Sequence, residues 1–300
     1  MSTGERVGVI GLGNIGGAIA ANLVADGHHV SVYDTDELRT GAVVGLGARA
    51  AHGPGEVGER SEITFASLPT PAVVEGVAAA WLVGAPAGSI FVDLSTNSPS
   101  TVRAIGARLE AAGRHFLECP LTGGAPGAQA RMLVFMVGGE AEVFERAKPL
   151  LDRLGRASFH IGALGLGNTA KLVNSLLAFT STWISLETLA VAAKMGVDLR
   201  TMVDVVRTGG ATNFYIDRMV ELLNERGRPT QFALGLAAKD AGLFLDVARE
   251  CGVPTPAAAQ VAQTLVAAVG AGMGEKDFTD LVELIERNAG LRLHLPPPRS

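Results

Sequence analysis

The sequence predicts an α/β fold in two parts: a doubly wound parallel sheet at the amino end, then an all-α region, the two joined by one long helix. Three observations carry that prediction. Residues 7–10 are a short run rich in β-branched side chains. They are followed at once by Gly11-Leu12-Gly13-Asn14-Ile15-Gly16 and then by Ala18, Ile19, Ala20 and Leu23 at helical spacing, which reads as strand, glycine turn and helix. Strand and helix patterns keep alternating as far as Ile161, and beyond Gly167 the pattern is helical with few strand signals.

Size and composition agree with two domains. Three hundred residues exceed the usual size of one domain, and the expected division is 1–163 for the sheet and 164–300 for the helices. With 48% hydrophobic and 18% charged residues, the chain reads as soluble and able to bury a sizeable core. A net charge of -5 without a long basic run argues against nucleic acid as a partner. The longest apolar stretch, 172–195, is interrupted by Asn174, Glu187 and Lys194, so it reads as a buried helix, not a membrane span. The amino terminus lacks the layout of a secretory signal. Cys119 and Cys251 are too few for a disulfide framework, so the expected compartment is the cytoplasm.

Each element follows in order. In the first turn, Gly11 permits the tight bend, Gly13 lets backbone approach a pyrophosphate, and Gly16 lets the helix pack on the strand. Unpaired amides at that helix start favour the anion. A second strand, 29–33, ends at Asp34, eighteen residues after Gly16, where a carboxylate can accept hydrogen bonds from a ribose diol and repel a 2'-phosphate. This is a Rossmann arrangement, and because no Arg stands at position 35 or 36 the expected cofactor is NAD in preference to NADP. Strands at 63–67, 89–94 and 115–118 alternate with helices at 71–82 and 99–112. The loops Leu68-Pro69-Thr70 and Ser95-Thr96-Asn97 then lie at the carboxyl edge of the sheet, where ligand binds. Locally, Ser95 and Thr96 read first as helix caps ahead of Pro99, a role compatible with ligand contact.

In Glu118-Cys119-Pro120-Leu121-Thr122-Gly123-Gly124-Ala125, a hydroxyl and two adjacent glycines could expose backbone N–H groups to a carboxylate; taken alone, the segment reads as a turn. A strand, a helix and a strand at 133–137, 140–154 and 157–161 complete the sheet domain. One helix then runs over 168–195, with others at 199–207, 214–225, 234–250, 256–270 and 279–288, and a loose proline-rich tail over 295–300. On the long helix, Lys171 and Asn174 are three apart and share a face. By itself that pairing fits an active-site base with its partner and a solvated first-turn lysine equally well. Lys239-Asp240 on a later apolar helix reads locally as a solvated pair. The histidines at 28, 29, 52, 115, 160 and 294 have no metal-ligand spacing, so no metal is expected.

Four of these segments, in order and correctly spaced from Val7 to about Asn288, resemble the β-hydroxyacid dehydrogenases, which include 3-hydroxyisobutyrate dehydrogenase, tartronate semialdehyde reductase and the succinic and glyoxylic semialdehyde reductases. The resemblance implies that Gly11, Leu12, Gly13, Asn14, Ile15 and Gly16 form the cofactor loop, with Ile15 where Met is common. It implies that Leu68, Pro69 and Thr96 touch the nicotinamide half, and that Thr122, Gly123 and Gly124 bind the substrate carboxylate. Lys171 matches the catalytic lysine, Asn174 its neighbouring asparagine, and Lys239 the lysine that reaches the cofactor. The usual Asp-x-Pro-Val-Ser-Gly-Gly is altered here by Glu118, Leu121 and Thr122, departures expected to bear on substrate choice. Residues 208–214 lie where the family lines its substrate pocket. What the resemblance implies is hydride exchange between a small 3-hydroxy acid and its semialdehyde by a homodimer or homotetramer. Two alternatives are an imine reductase, a group that generally replaces the lysine, and a dinucleotide-binding protein without turnover; a 6-phosphogluconate dehydrogenase would need a longer helical domain.

Overall fold

The computed structural model describes residues 4–295 apart from 225 and 228, so the last position of the helix expected over 214–225 and the tail at 296–300 lie outside the described residues. Two compact units meet between Leu172 and Val173.

The first unit is a nine-stranded sheet in the order β3-β2-β1-β4-β5-β6-β8-β7, with β9 also paired to β8. Strands β1 (Arg6–Ile10), β2 (His29–Tyr33), β3 (Arg49–Ala50), β4 (Ile63–Ala66), β5 (Ile90–Asp93) and β6 (His115–Glu118) are all parallel to one another. β8 (Leu133–Gly138) runs antiparallel to β6 and to β7 (Leu121–Thr122), and β9 (Gly155–Gly162) runs parallel to β8. Strand side chains alternate between faces, and both faces are buried. Val7, Val9, Phe65, Ile90 and Val92 share one core with Ile19 and Leu23 of α1 (Gly16–Ala25) and with Leu150 and Leu154 of α7 (Ala141–Leu154). Ile10, Ala66 and Phe91 point the other way, into a core with Trp81 of α4 (Pro71–Gly84) and Val102 and Leu109 of α5 (Pro99–Ala111).

Three elements between β2 and β4 are absent from the sequence reading: α2 (Glu37–Val44), β3 and α3 (Pro54–Glu59). α2 and β3 carry weak apolar periodicity because they are largely exposed, and α3 because its six residues bury a single branched apolar side chain, Val57; α2 is held instead by Asp36, whose carboxylate accepts from the amides of Leu38 and Arg39. The short β7 also lies inside the segment that reads as a turn, and α6 (Gly124–Gln129) begins at its end.

The second unit is helical. Its core gathers Leu176, Phe179, Leu186 and Leu189 of α8 (Leu166–Lys194) with residues of α9 (Leu199–Thr208), α10 (Phe214–Asn224), α11 (Leu234–Glu250), α12 (Pro256–Ala268) and α13 (Leu281–Ala289). α8 is long and apolar enough by composition to cross a membrane, yet those buried residues make it the central helix of this core. α12 stops at Ala268, short of the expected 270, where a glycine-rich π turn with Gly272 at φ 82° takes over.

Candidate active site

The glycine loop has the geometry that a dinucleotide needs. Gly11 sits at φ 83°, and its N–H donates to Tyr33 O across the β1–β2 edge. A Cβ on Gly16 would lie 1.9 Å from Gly11 O, so the helix packs onto the turn only through a glycine. Gly13 differs, since a Cβ there would meet nothing nearer than an Arg39 guanidinium nitrogen at 3.7 Å. Open space above Gly13, and a helix start with no side-chain cap at Ile15, suit a pyrophosphate. Asn14 is exposed and Ile15 half-buried. Asp34 binds the loop itself: one carboxylate oxygen accepts from Leu12 N at 2.6 Å and the other from Asp36 N at 2.8 Å. Each oxygen keeps a second lone pair for a ribose hydroxyl.

Leu68, Pro69 and Thr96 occupy the next two strand ends. Leu68 reaches back to the turn, where its Cδ2 would be 3.1 Å from a Cβ on Gly11. Its N–H donates to Ser95 Oγ at 3.0 Å. The capping role expected of Ser95 and Thr96 belongs instead to Ser98, whose hydroxyl accepts from Thr101 N at 3.1 Å. Ser95 faces inward, its N–H donating to Asp93 Oδ1 at 3.0 Å, and Asn97 Nδ2 donates to Asp93 Oδ2 at 2.6 Å. Burial pushes the Asp93 carboxyl up to about 6, against the pull of these hydrogen bonds from Ser95 and Asn97.

Thr122 pairs with Val134 in the sheet, and Gly123 and Gly124 follow at φ 123° and 61°. Successive left-handed glycines turn the backbone outward at the end of a strand, as a carboxylate-binding loop requires. Glu118, expected to act on substrate choice, points elsewhere. It is fully buried, its Oε1 accepting from Gly165 N (2.5 Å) and Gly167 N (3.0 Å) and its Oε2 from Asn168 N (3.0 Å) and Asn168 Nδ2 (2.5 Å). The three backbone amides among them are orphan donors of the first turn of α8. Burial holds the Glu118 carboxyl above the usual carboxylate range, against the downward pull of the four N–H donors.

Lys171 lies one turn beyond Asn168 on α8 and Asn174 one turn beyond that, both half-buried. Lys239 belongs to the helical unit, where its Nζ lies 3.2 Å from Oδ1 of the buried Asp240. The first unit thus joins the glycine loop, Asp34, Leu68 and Ser95 by direct contacts. Residues missed in the sequence are Asp93, Ser95 as an anchor, Asn97 and Asn168. Their signal was a set of small polar residues at strand ends and at a helix start, a pattern that turns and caps share.

Residues 6–162 match the NAD-binding domain of 6-phosphogluconate dehydrogenase, and residues 165–285 match the NAD-binding model of NADP-dependent 3-hydroxyisobutyrate dehydrogenase. The chain is 31% identical to 2-(hydroxymethyl)glutarate dehydrogenase of Eubacterium barkeri, over 97% of this chain and 98% of that one. It is 34% identical to 3-hydroxyisobutyrate dehydrogenase of Pseudomonas aeruginosa, over 83% and 87%. Among solved structures, the Mycobacterium tuberculosis 3-hydroxyisobutyrate dehydrogenase with L-serine superposes at a TM-score of 0.86, with 26% identity over 94% of this chain and 99% of that one. Family matches over both parts of the chain, and relatives of this kind along nearly its whole length, make this protein a member of the β-hydroxyacid dehydrogenase family and an NAD(P)-dependent hydroxyacid dehydrogenase.

Proposed function

We propose that the enzyme interconverts a small 3-hydroxy acid and its semialdehyde, with Lys171 as the general acid and base. The relatives suggest the substrate class, because 3-hydroxyisobutyrate, 2-(hydroxymethyl)glutarate and L-serine all carry a hydroxymethyl group next to a carboxylate-bearing carbon. The observation that carries the reading is the half-buried Lys171–Asn174 face of α8, one turn beyond a helix start anchored to the sheet by Glu118.

The residues that would hold the dinucleotide are the open backbone at Gly13 for pyrophosphate, Asp34 for ribose, Leu68, Pro69 and Thr96 for the nicotinamide half, and Lys239 as a further cofactor contact. When bound, the nicotinamide ring exchanges the hydride with the substrate carbon. Lys171 takes the hydroxyl proton in oxidation and returns it to the carbonyl oxygen in reduction. Asn174 holds that oxygen. Thr122, Gly123 and Gly124 grip the carboxylate and so fix the reactive carbon, which is the orientation contribution to the rate. NAD is the preferred form because Asp34 offers a negative charge where NADP carries its phosphate.

The working enzyme is proposed to be a cytoplasmic homodimer or homotetramer. Supporting assembly, Leu177, Ile184 and Val191 recur every seven residues on α8 and are 65%, 50% and 66% exposed. Ile184→Asp should shift the species seen by light scattering toward monomer, and an unchanged mass would remove α8 from the interface.

The test of activity is NADH or NADPH consumption with a panel of semialdehydes, alongside 3-hydroxyisobutyrate and L-serine oxidation, with cyclic imines as a separate arm. Lys171→Ala should lose turnover by about a hundredfold or more while NADH binding is retained. Imine reduction alone, or equal NADH binding with no turnover in either protein, would overturn the proposal.

A further inference from the structure

Glu118 is better placed to act on Lys171 than on substrate. Its carboxylate closes the N-terminus of the helix that carries the lysine, and its four donors come from Gly165, Gly167 and Asn168. Gly167 and Asn168 lie four and three residues before Lys171, so they lie on the same helix face. The anion also faces the positive end of the helix dipole. Each oxygen has two N–H groups aimed at it, and a proton on either oxygen would collide with one of them. Only the ionised form fits all four.

The chain makes room for this clamp. A Cβ on Gly138 would sit 2.2 Å from Glu118 Oε1, and one on Gly167 would sit 2.6 Å from Met136 O and 3.2 Å from Glu118 Cδ. Nor does the clamp stand alone. Asn168 gives its amide N–H and its Nδ2 to Glu118, and its Oδ1 accepts from Asn97 N at 2.7 Å. Asn97 is bound to Asp93, Asp93 to Ser95, and Ser95 to Leu68 N. One continuous chain of hydrogen bonds, buried except at its half-buried Leu68 end, therefore runs from the two loops proposed to face the nicotinamide, through Asn97 and Asn168, to the first turn of α8.

We infer that Glu118 is a positioning residue for the hydride-transfer reaction: with Asn168 and Asn97 it fixes the start of α8, and so the Lys171 ammonium, relative to the 68–69 and 95–97 loops. The inference rests on the proposed role of Lys171. It assigns Glu118 no contact with substrate. The departure from Asp to Glu at this position is then matched to the small residues beneath it and leaves the carboxylate-binding Thr122, Gly123 and Gly124 untouched.

The test compares Glu118→Gln and Asn168→Ala with wild type, using the semialdehyde reduced fastest in the panel. Glu118→Gln keeps the shape and replaces one acceptor by a donor aimed at N–H groups. Asn168→Ala breaks the link to Asn97 yet leaves the carboxylate three backbone donors. A misplacement of about 1 Å can lower a rate about a hundredfold, so kcat should fall about ten- to hundredfold in both variants. KM and the fluorescence-measured Kd for NADH should stay within about threefold, because the glycine loop is untouched. The isotope effect with 4-deuterated NADH should rise. In the oxidation direction, the acidic limb of the kcat profile should move to lower pH in Glu118→Gln, since a negative charge near Lys171 has gone.

If both variants keep wild-type kcat, isotope effect and pH profile and lose only thermal stability, Glu118 is merely structural and the inference fails. If Glu118→Gln does not fold, Asn168→Ala decides the matter by the same readouts. Turnover retained in Lys171→Ala would instead strike at the proposed function, and that outcome is separate from the behaviour of either variant.

Discussion

At the scale of single residues, three glycines of one loop make three different demands. Gly16 has no room for a methyl group, and Gly11 has neither room nor the backbone angle for one, whereas Gly13 has both. Gly13→Ala should therefore fold with an unchanged melting temperature but bind NADH at least about tenfold more weakly, because its methyl group enters only the space that a pyrophosphate needs. Gly16→Ala should fail in the reverse order, losing stability before any cofactor is added. Calorimetry and a fluorescence titration on the same samples distinguish the two. Asp34 holds the loop and is proposed to bind the ribose as well. Since both of its oxygens already hold backbone N–H groups, Asp34→Asn should weaken NADH binding through a loosened loop as well as a lost ribose contact. Asp34→Ser with Thr35→Arg should move preference toward NADP, and no shift in the NADH to NADPH ratio of kcat/KM would mean that another residue reads the ribose.

At the scale of elements, what was legible in the sequence is what periodicity and spacing can encode. β1, the glycine turn, α1 and the acid at the end of β2 stand where the pattern put them, because each is specified by neighbours in the chain. The parallel order of β1, β4, β5 and β6 follows from the same alternation. α2 and β3 were hidden because exposed elements carry little apolar signal, and α3 because six residues with one branched apolar side chain, Val57, set no period. The role of Glu118 was hidden for another reason: its four donors lie at least 47 residues away, and no local pattern records such a partner. Ser98 shows the limit from the other side, since Ser95, Thr96 and Ser98 are all plausible caps and only geometry selects one. Ser98→Ala should cost about 1 kcal/mol in urea unfolding, the usual value of such a cap. Ser95→Ala should cost activity as well, because it frees Leu68 N.

At the scale of the whole molecule, buried acids set an uncommon dependence on pH. Asp93 has its carboxyl raised from 3.8 to about 6, so the folded chain holds that proton more tightly than the unfolded one. The stabilisation is fully present below about 3.8 and is lost as pH rises through about 6. Between pH of about 4.5 and 7.5, the unfolding free energy of wild type relative to Asp93→Asn should fall by about 2 kcal/mol. Asp26 and Asp152, held down by their partners Arg131 and Lys148, act in the opposite sense and lose their contribution as pH falls. The comparison with the variant isolates Asp93 from them, and a flat difference would mean that Asp93 is not the group responsible.

The clamp on α8 also says where the chain can be divided. The two family models meet between residues 162 and 165, which makes that interval the natural seam for recombining halves of related enzymes. Glu118 lies on one side of the seam and all of its donors on the other. A chimera joined there would pair a glutamate and its clearing at Gly138 with a foreign helix start built for a different acid, and a fragment ending at the seam would bury a carboxylate with none of those four N–H groups. A junction beyond Leu172 transfers acid, clearing and helix start as one heritable unit, so inheritance in this fold follows the hydrogen bonds, not the edge of the sheet.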